Sequence, residues 1–169
     1  MSRDEEYYER DNKRIYHQAI EDLQNRSPRI RQSAFSSLKV LGYRGYRDAI
    51  AILGRELLNE QSEDLRIEII SCLAYTGRPE ALSVLRPAAF DISWRVRTAL
   101  ATGIYECVVQ FIMPRFGTDY PSRNQEIAMH EQAISLFSSM NQDPHPDIRD
   151  YVQWRIMEFT EWLSNEANR

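Results

Sequence analysis

Cysteine, histidine and glycine are all scarce in this 169-residue chain, with two, three and six copies respectively. Cys72 and Cys107 each sit inside an apolar helical pattern, without CxxC or metal-ligand spacing. They read as small buried residues rather than as a disulfide or a metal site. His17, His130 and His145 are scattered, and no segment supplies the local signature of a nucleophile, base and orienter meeting in space. The one paired-glycine stretch, Gly42-Tyr43-Arg44-Gly45, lacks the lysine, the spacing and the preceding strand of a phosphate-binding loop. Catalytic residues, metal ligands and cofactors are therefore not expected. Long apolar runs are also missing, and nothing approaches the roughly 20 residues that a membrane helix requires. Met1 to Tyr8 is charged where a secretion signal would have its apolar core, so the expected location is the cytoplasm.

An excess of one charge is lacking overall, since the net charge is −4, which argues against a binder of nucleic acid through bulk basicity. The charge is nevertheless uneven. Arg26, Arg29, Arg31, Lys39, Arg44, Arg47 and Arg55 face a single acid, Asp48, over residues 26–55, whereas from residue 101 onward five arginines face ten acids. The chain is basic early and acidic late. With 43% apolar and 27% charged residues, it has the composition of one domain able to bury a core.

A repeat is present. Ser27-Pro28-Arg29-Ile30-Arg31, Ser62-Glu63-Asp64-Leu65-Arg66, Ser93-Trp94-Arg95-Val96-Arg97 and His145-Pro146-Asp147-Ile148-Arg149 share a capping residue, two variable positions, a branched aliphatic and an arginine. Four places after each aliphatic stands Ala34, Ile69, Leu100 or Val152, and eight after stands Leu38, Leu73, Ile104 or Ile156. This is the stripe of a buried helix face. Five before it stands Asn25, Glu60, Asp91 or Asp143. The serines predict helix N-caps, Pro28 and Pro146 predict first-turn positions, and Gly42 and Gly77 predict helix ends with positive φ. Partner helices are predicted over 49–59, 79–86 and about 123–140. An opening helix is predicted over 3–23, with Ser2 and Glu5 spaced as a capping box and Tyr8, Ile15, Ala19 and Leu23 on one face. Eight helices and no strand result.

The pattern Asp-x-Ser-x-x-Val-Arg-x-x-Ala-x-x-x-Leu resembles the HEAT and HEAT-like repeats, a class that includes those of bilin lyases. The copy from Asn25 through Leu38 is closest to it, and Asp91 to Arg97 comes next. Tetratricopeptide and ankyrin signatures are absent. The resemblance implies an α-α superhelix of about eight helices, a HEAT-like solenoid in which the second helix of each pair lines a concave face. Its expected divisions are a capping helix (1–24), repeats at 25–61, 62–90, 91–142 and 143–165, and a tail at 166–169. Pro114 to Ser122 has no counterpart in the other repeats and is where regular stacking is expected to break. In this class Arg31, Arg66, Arg97 and Arg149, paired with acids at the preceding turn (Glu60, Asp91 and Asp143), tie adjacent repeats together.

The functional expectation is a non-catalytic adaptor, scaffold or assembly chaperone that holds another protein, because stacked pairs form an extended groove without any special residue. The alternatives are a nucleic-acid-binding HEAT-like protein of the alkylpurine glycosylase kind and a bilin lyase or chromophore-handling subunit. His130-Glu131 is a single copy of the pair that deoxyhypusine hydroxylases repeat to hold two irons. One pair is too few, and His130 reads as a solvated helix residue. Tyr43, Tyr46, Trp94, Tyr120 and Trp154 fall off the apolar stripes, where large rigid rings serve as binding anchors. The expected partner site is the turn Tyr43-Arg44-Gly45-Tyr46-Arg47 with Arg55, whose tyrosines and forked donors suit an acidic segment of a partner protein.

Overall fold

A computed structural model describes residues 3–113 and 120–167, with side chains from residue 9 on. Among these residues the chain forms eight α-helices and no strand. They are α1 (Arg3–Leu23), α2 (Pro28–Tyr43), α3 (Arg47–Asn59), α4 (Glu63–Tyr75), α5 (Pro79–Leu85), α6 (Trp94–Ile112), α7 (Arg123–Ser138) and α8 (Pro146–Ala167), with a 3-10 segment Arg86–Phe90 after α5. The Ser2–Glu5 capping box and residues 114–119 of the expected break lie outside the described residues.

Local chemistry accounts for several helix ends. Ser62 Oγ accepts the Leu65 N–H at 3.4 Å, and Ser93 Oγ accepts those of Arg95 and Val96 at 3.2 and 3.5 Å. These bonds satisfy donors that a helix start leaves open. Ser27 makes no such bond, which corrects the reading of all three serines as side-chain caps. Its own N–H is instead held by Asn25 Oδ1 at 2.9 Å. Positive φ falls on Gly77 (58°) and Gly45 (93°). Gly42 is the second correction, because it lies inside α2, where a Cβ would come within 2.8 Å of the Thr76 side chain. Close helix approach, not a left-handed turn, requires glycine there.

Two layers follow from the packing. Helix α4 packs against α2 on one side and α6 on the other, and α6 continues to α8, while α3 packs on α5 and α5 on α7. Helix α1 runs along α2. The apolar stripe explains the first layer, since Ala34, Leu38, Ile69, Leu73, Leu100, Ile104 and Val152 are all buried. Ile30, at the start of the first stripe, is 37% exposed while Leu65, Val96 and Ile148 are buried.

Candidate functional site

The four turns that lead into α2, α4, α6 and α8 are built alike. The polar residue five places before the aliphatic accepts the N–H two residues on, in bonds of 2.8–2.9 Å from Ser27 to Asn25, Ser62 to Glu60, Ser93 to Asp91 and His145 to Asp143. The arginine after the aliphatic then returns to its own turn. Arg31 donates to the carbonyls of Asn25 and Arg26, Arg66 to those of Glu60 and Gln61, Arg97 to those of Asp91 and Ile92, and Arg149 to those of Asp143 and Pro144.

The same guanidinium groups reach forward to the next turn. Arg31 Nη2 lies 3.2 Å from Glu60, Arg66 Nε 2.7 Å from Asp91, and Arg97 Nε 2.6 Å from Asp143. Each contact is a fork in which Nε and Nη2 both engage the carboxylate, the geometry a planar guanidinium is shaped for. So each arginine takes carbonyls from its own preceding turn and a carboxylate from the turn after it. The ends of the series fit this rule. Asn25 at the first turn is uncharged, and no carboxylate stands at ion-pair distance from Arg149 among the described residues. The last pair is the most buried. Burial alone would raise the Asp143 carboxyl, but the Arg97 hydrogen bonds and charge, together with the His145 N–H, hold it below its ordinary value.

The turn expected to hold a partner also makes contacts within the molecule, although Arg47 and Arg55 stay 83% and 59% exposed. Arg44 donates to Asn12, a buried residue of α1, Arg47 pairs with Glu80 at 3.1 Å, and Arg55 pairs with Glu56 at 3.2 Å. The Tyr43 carbonyl accepts from Arg78 at 2.8 Å, its ring lies 5.9 Å from that of Tyr75, and Tyr46 packs against the core. The tyrosines and arginines are neighbours, as their spacing implies, but three elements share them.

His130 corrects its solvated reading. It is buried, its ring stacks on Trp162 at 3.9 Å and meets the edge of Phe159, and Nδ1 donates to the Glu126 carbonyl at 2.8 Å. Burial lowers its pKa, so at neutral pH it is a flat, uncharged ring. Beside it Arg155, also buried, lies 3.5 Å from the Tyr105 ring centroid and 4.2 Å from that of Trp154, and it bonds the Tyr151 hydroxyl and Glu158. The equivalent position holds Ser37, Cys72 and Gly103 in the other copies. An arginine among small residues was the visible signal of this cluster. Cys72 and Cys107 are free and buried, and desolvation pushes both thiols up to about 12. Both therefore stay protonated and unreactive. No group of three or more metal-ligating side chains occurs among the described residues.

Of the strongest surface feature only Trp94 was anticipated, and its ring stacks on that of His145 at 4.9 Å. Phe90, Ile92 and Trp94 are 75%, 96% and 51% exposed, and Leu58 across the neighbouring groove is 64% exposed. Asp91 and Ser93, between them, point inward to cap α6. Aligning the four turns would have exposed the signal, because the matching positions are Gln24, Arg26 and Pro28, then Asn59, Gln61 and Glu63, then Gln142, Pro144 and Pro146. No known family model matches the chain, and no curated protein matches it. No helix among the described residues is long and apolar enough to cross a membrane.

Proposed function

We propose that the chain is a non-catalytic protein-binding scaffold, adaptor or assembly chaperone built as a HEAT-like solenoid. The observation that carries this reading is the repeated turn, in which an arginine reads its own carbonyls and then the next carboxylate in three successive copies. Such periodic contacts fix one helix pair against the next and produce an extended surface whose shape belongs to the stack rather than to any one residue. The exposed rings and aliphatics on that surface support binding over catalysis, since contiguous apolar area left in water marks a contact site.

Cross-linking of the whole chain in cells that express it, followed by mass spectrometry and calorimetry on the captured protein, tests this. A stoichiometric complex whose affinity falls when surface residues change, with helical content preserved, is the expected result. Turnover of a small molecule with no stable protein complex would overturn it. The Arg44, Arg47 and Arg55 triple alanine variant is the test of the first turn. A tenfold or greater loss of affinity would assign binding there. An unchanged affinity would leave those arginines to their intramolecular partners.

A further inference from the structure

Of the three histidines, His130 is the one that folding buries. It stands on α7, which runs antiparallel to α8, so that the start of one helix meets the end of the other. Three contacts hold the end of α8 there. Phe159, itself buried, meets the rings of Phe137 and His130 edge-on with centroids at 5.9 and 4.9 Å. The Trp162 ring lies on that of His130 at 3.9 Å with 9° between the planes. Glu166 pairs with Arg123 at 3.2 Å, but Arg123 is half exposed and such pairs contribute little. Two of the three contacts therefore end on one imidazole.

That imidazole is placed for one protonation state. Nδ1 lies 2.8 Å from the Glu126 carbonyl, which can only accept, so Nδ1 carries the proton and Nε2 is the bare nitrogen of the neutral ring. Nε2 has no hydrogen-bond partner among the described residues, and no carboxylate there stands at ion-pair distance from the ring. The charged groups around it come from each helix packed on α7. Glu126 is on α7 itself, and Glu158 and Arg155 of α8 are paired with each other at 2.6 Å. Helix α6 brings the Tyr105 ring against Phe159, and Arg86, just past α5, is held by Ser135 more than a turn away. Glu131 and Glu161 are exposed. A positive charge on His130 would be a second cation in a cluster whose Arg155 already uses Glu158.

We propose that the end of α8, residues 159–167, is an acid-released latch, closed on α7 while His130 is neutral and released, with Phe159 and Trp162 uncovered, when His130 is protonated. Released turns at a helix end have no packing to hold them and fray. Burial keeps the imidazole below its ordinary value, against the opposing pull of the Glu126 carbonyl and the charges of Glu126 and Glu158. The open latch, with the ring in water, therefore binds the proton more tightly than the closed one. Closure is fully favoured above the ordinary histidine value of about 6.5 and weakens as pH falls through it. The arginine forks do not respond in this range, because carboxylates take up protons only near pH ~4. Mild acid thus acts on one joint and leaves the stack of α2, α4 and α6 in place.

The latch is independent of the protein-binding reading and is tested on the full chain by amide hydrogen exchange and NMR. Below about pH 6.5, protection of the N–H groups of residues 159–163 should fall by up to about tenfold per pH unit, the limit for one proton. Protection in α4 and α6 should change less than about twofold over the same range. Contacts between the His130 and Trp162 rings, seen as nuclear Overhauser effects, should fade together with it. His130→Phe keeps a flat ring without the proton site and should remove the pH step. His145→Ser gives the fourth turn the cap residue of the others and should keep it. The His130 ring of the wild type, titrated through its carbon-bound protons, should have its midpoint below about 6.5, a reading that stands whether or not the phenylalanine variant folds. Unchanged protection down to about pH 5, an equal loss in α4 and α6, a step that persists in His130→Phe, or a ring midpoint at or above the ordinary value would each overturn the latch.

Discussion

The first and third turns of the repeat follow one plan, yet they differ in depth and in what faces outward. In the first, Arg31 meets Glu60 in a half-buried pair, Ser27 makes no cap bond, and Gln24, Arg26 and Pro28 face the water. In the third, Arg97 meets Asp143 in a nearly closed site, Ser93 caps two N–H groups, and Phe90, Ile92 and Trp94 face outward. A shared motif thus carries unequal energies, because a fork between guanidinium and carboxylate is screened more where it is more exposed, as in the first pair, than where it is more buried, as in the last. It also carries unequal surfaces, because only the inward residues serve the turn.

The largest effect concerns the layer that both turns depend on. Leu73, fully buried on α4, changed to Asp should cost more than about 4 kcal/mol, since a lone carboxylate cannot be satisfied there. Ser83→Asp on the exposed face of α5 should cost under about 0.5 kcal/mol. Urea melts showing equal shifts would undo the assignment of buried and exposed faces. Next comes the contrast itself. Arg97→Ala leaves Asp143 buried without its partner and should cost about 3–5 kcal/mol, whereas Arg31→Ala should cost about 1 kcal/mol. Matching losses in the two variants would show that burial does not set the strength of the pair.

Proton linkage sharpens the same contrast. Folding holds the Asp143 carboxyl below its ordinary value, so the unfolded chain binds that proton more tightly. The stabilisation is complete above the ordinary carboxylate pKa of about 3.9 and is lost as pH falls through it and below. The stability gap between wild type and Asp143→Asn should therefore narrow below about pH 4, and a constant gap down to pH 3 would refute the linkage. The smallest effect is at the caps. Ser93→Ala should cost about 1 kcal/mol, and Ser27→Ala less than half of that, read as midpoints of thermal unfolding.

Much of this was legible in the chain. The period of Ile30, Ala34 and Leu38, repeated at Leu65, Val96 and Ile148, located α2, α4, α6 and α8 because a buried stripe and a polar cap are local requirements. The recurring arginines and acids were equally visible. The direction of their pairing was not, since own-turn carbonyls and next-turn carboxylates are distinguished only once the turns are stacked. Gly42 was misread for a related reason. A glycine near a helix end suits a left-handed turn, and only the arrival of Thr76 against α2 shows that the space itself is what matters.

By itself the sequence determined the helices, their order and the positions that must be buried, because hydrogen bonding within a helix and the 3.6-residue stripe depend on neighbours along the chain. Tertiary structure decided what neighbours along the chain cannot encode. It buried His130 under Trp162, enclosed Arg155 among rings, drew Arg44, Arg47 and Arg55 onto Asn12, Glu80 and Glu56, and left Phe90, Ile92 and Trp94 in water. Desolvation and charge pairing act through space, so their sign at each residue is set by which helices come to lie beside it.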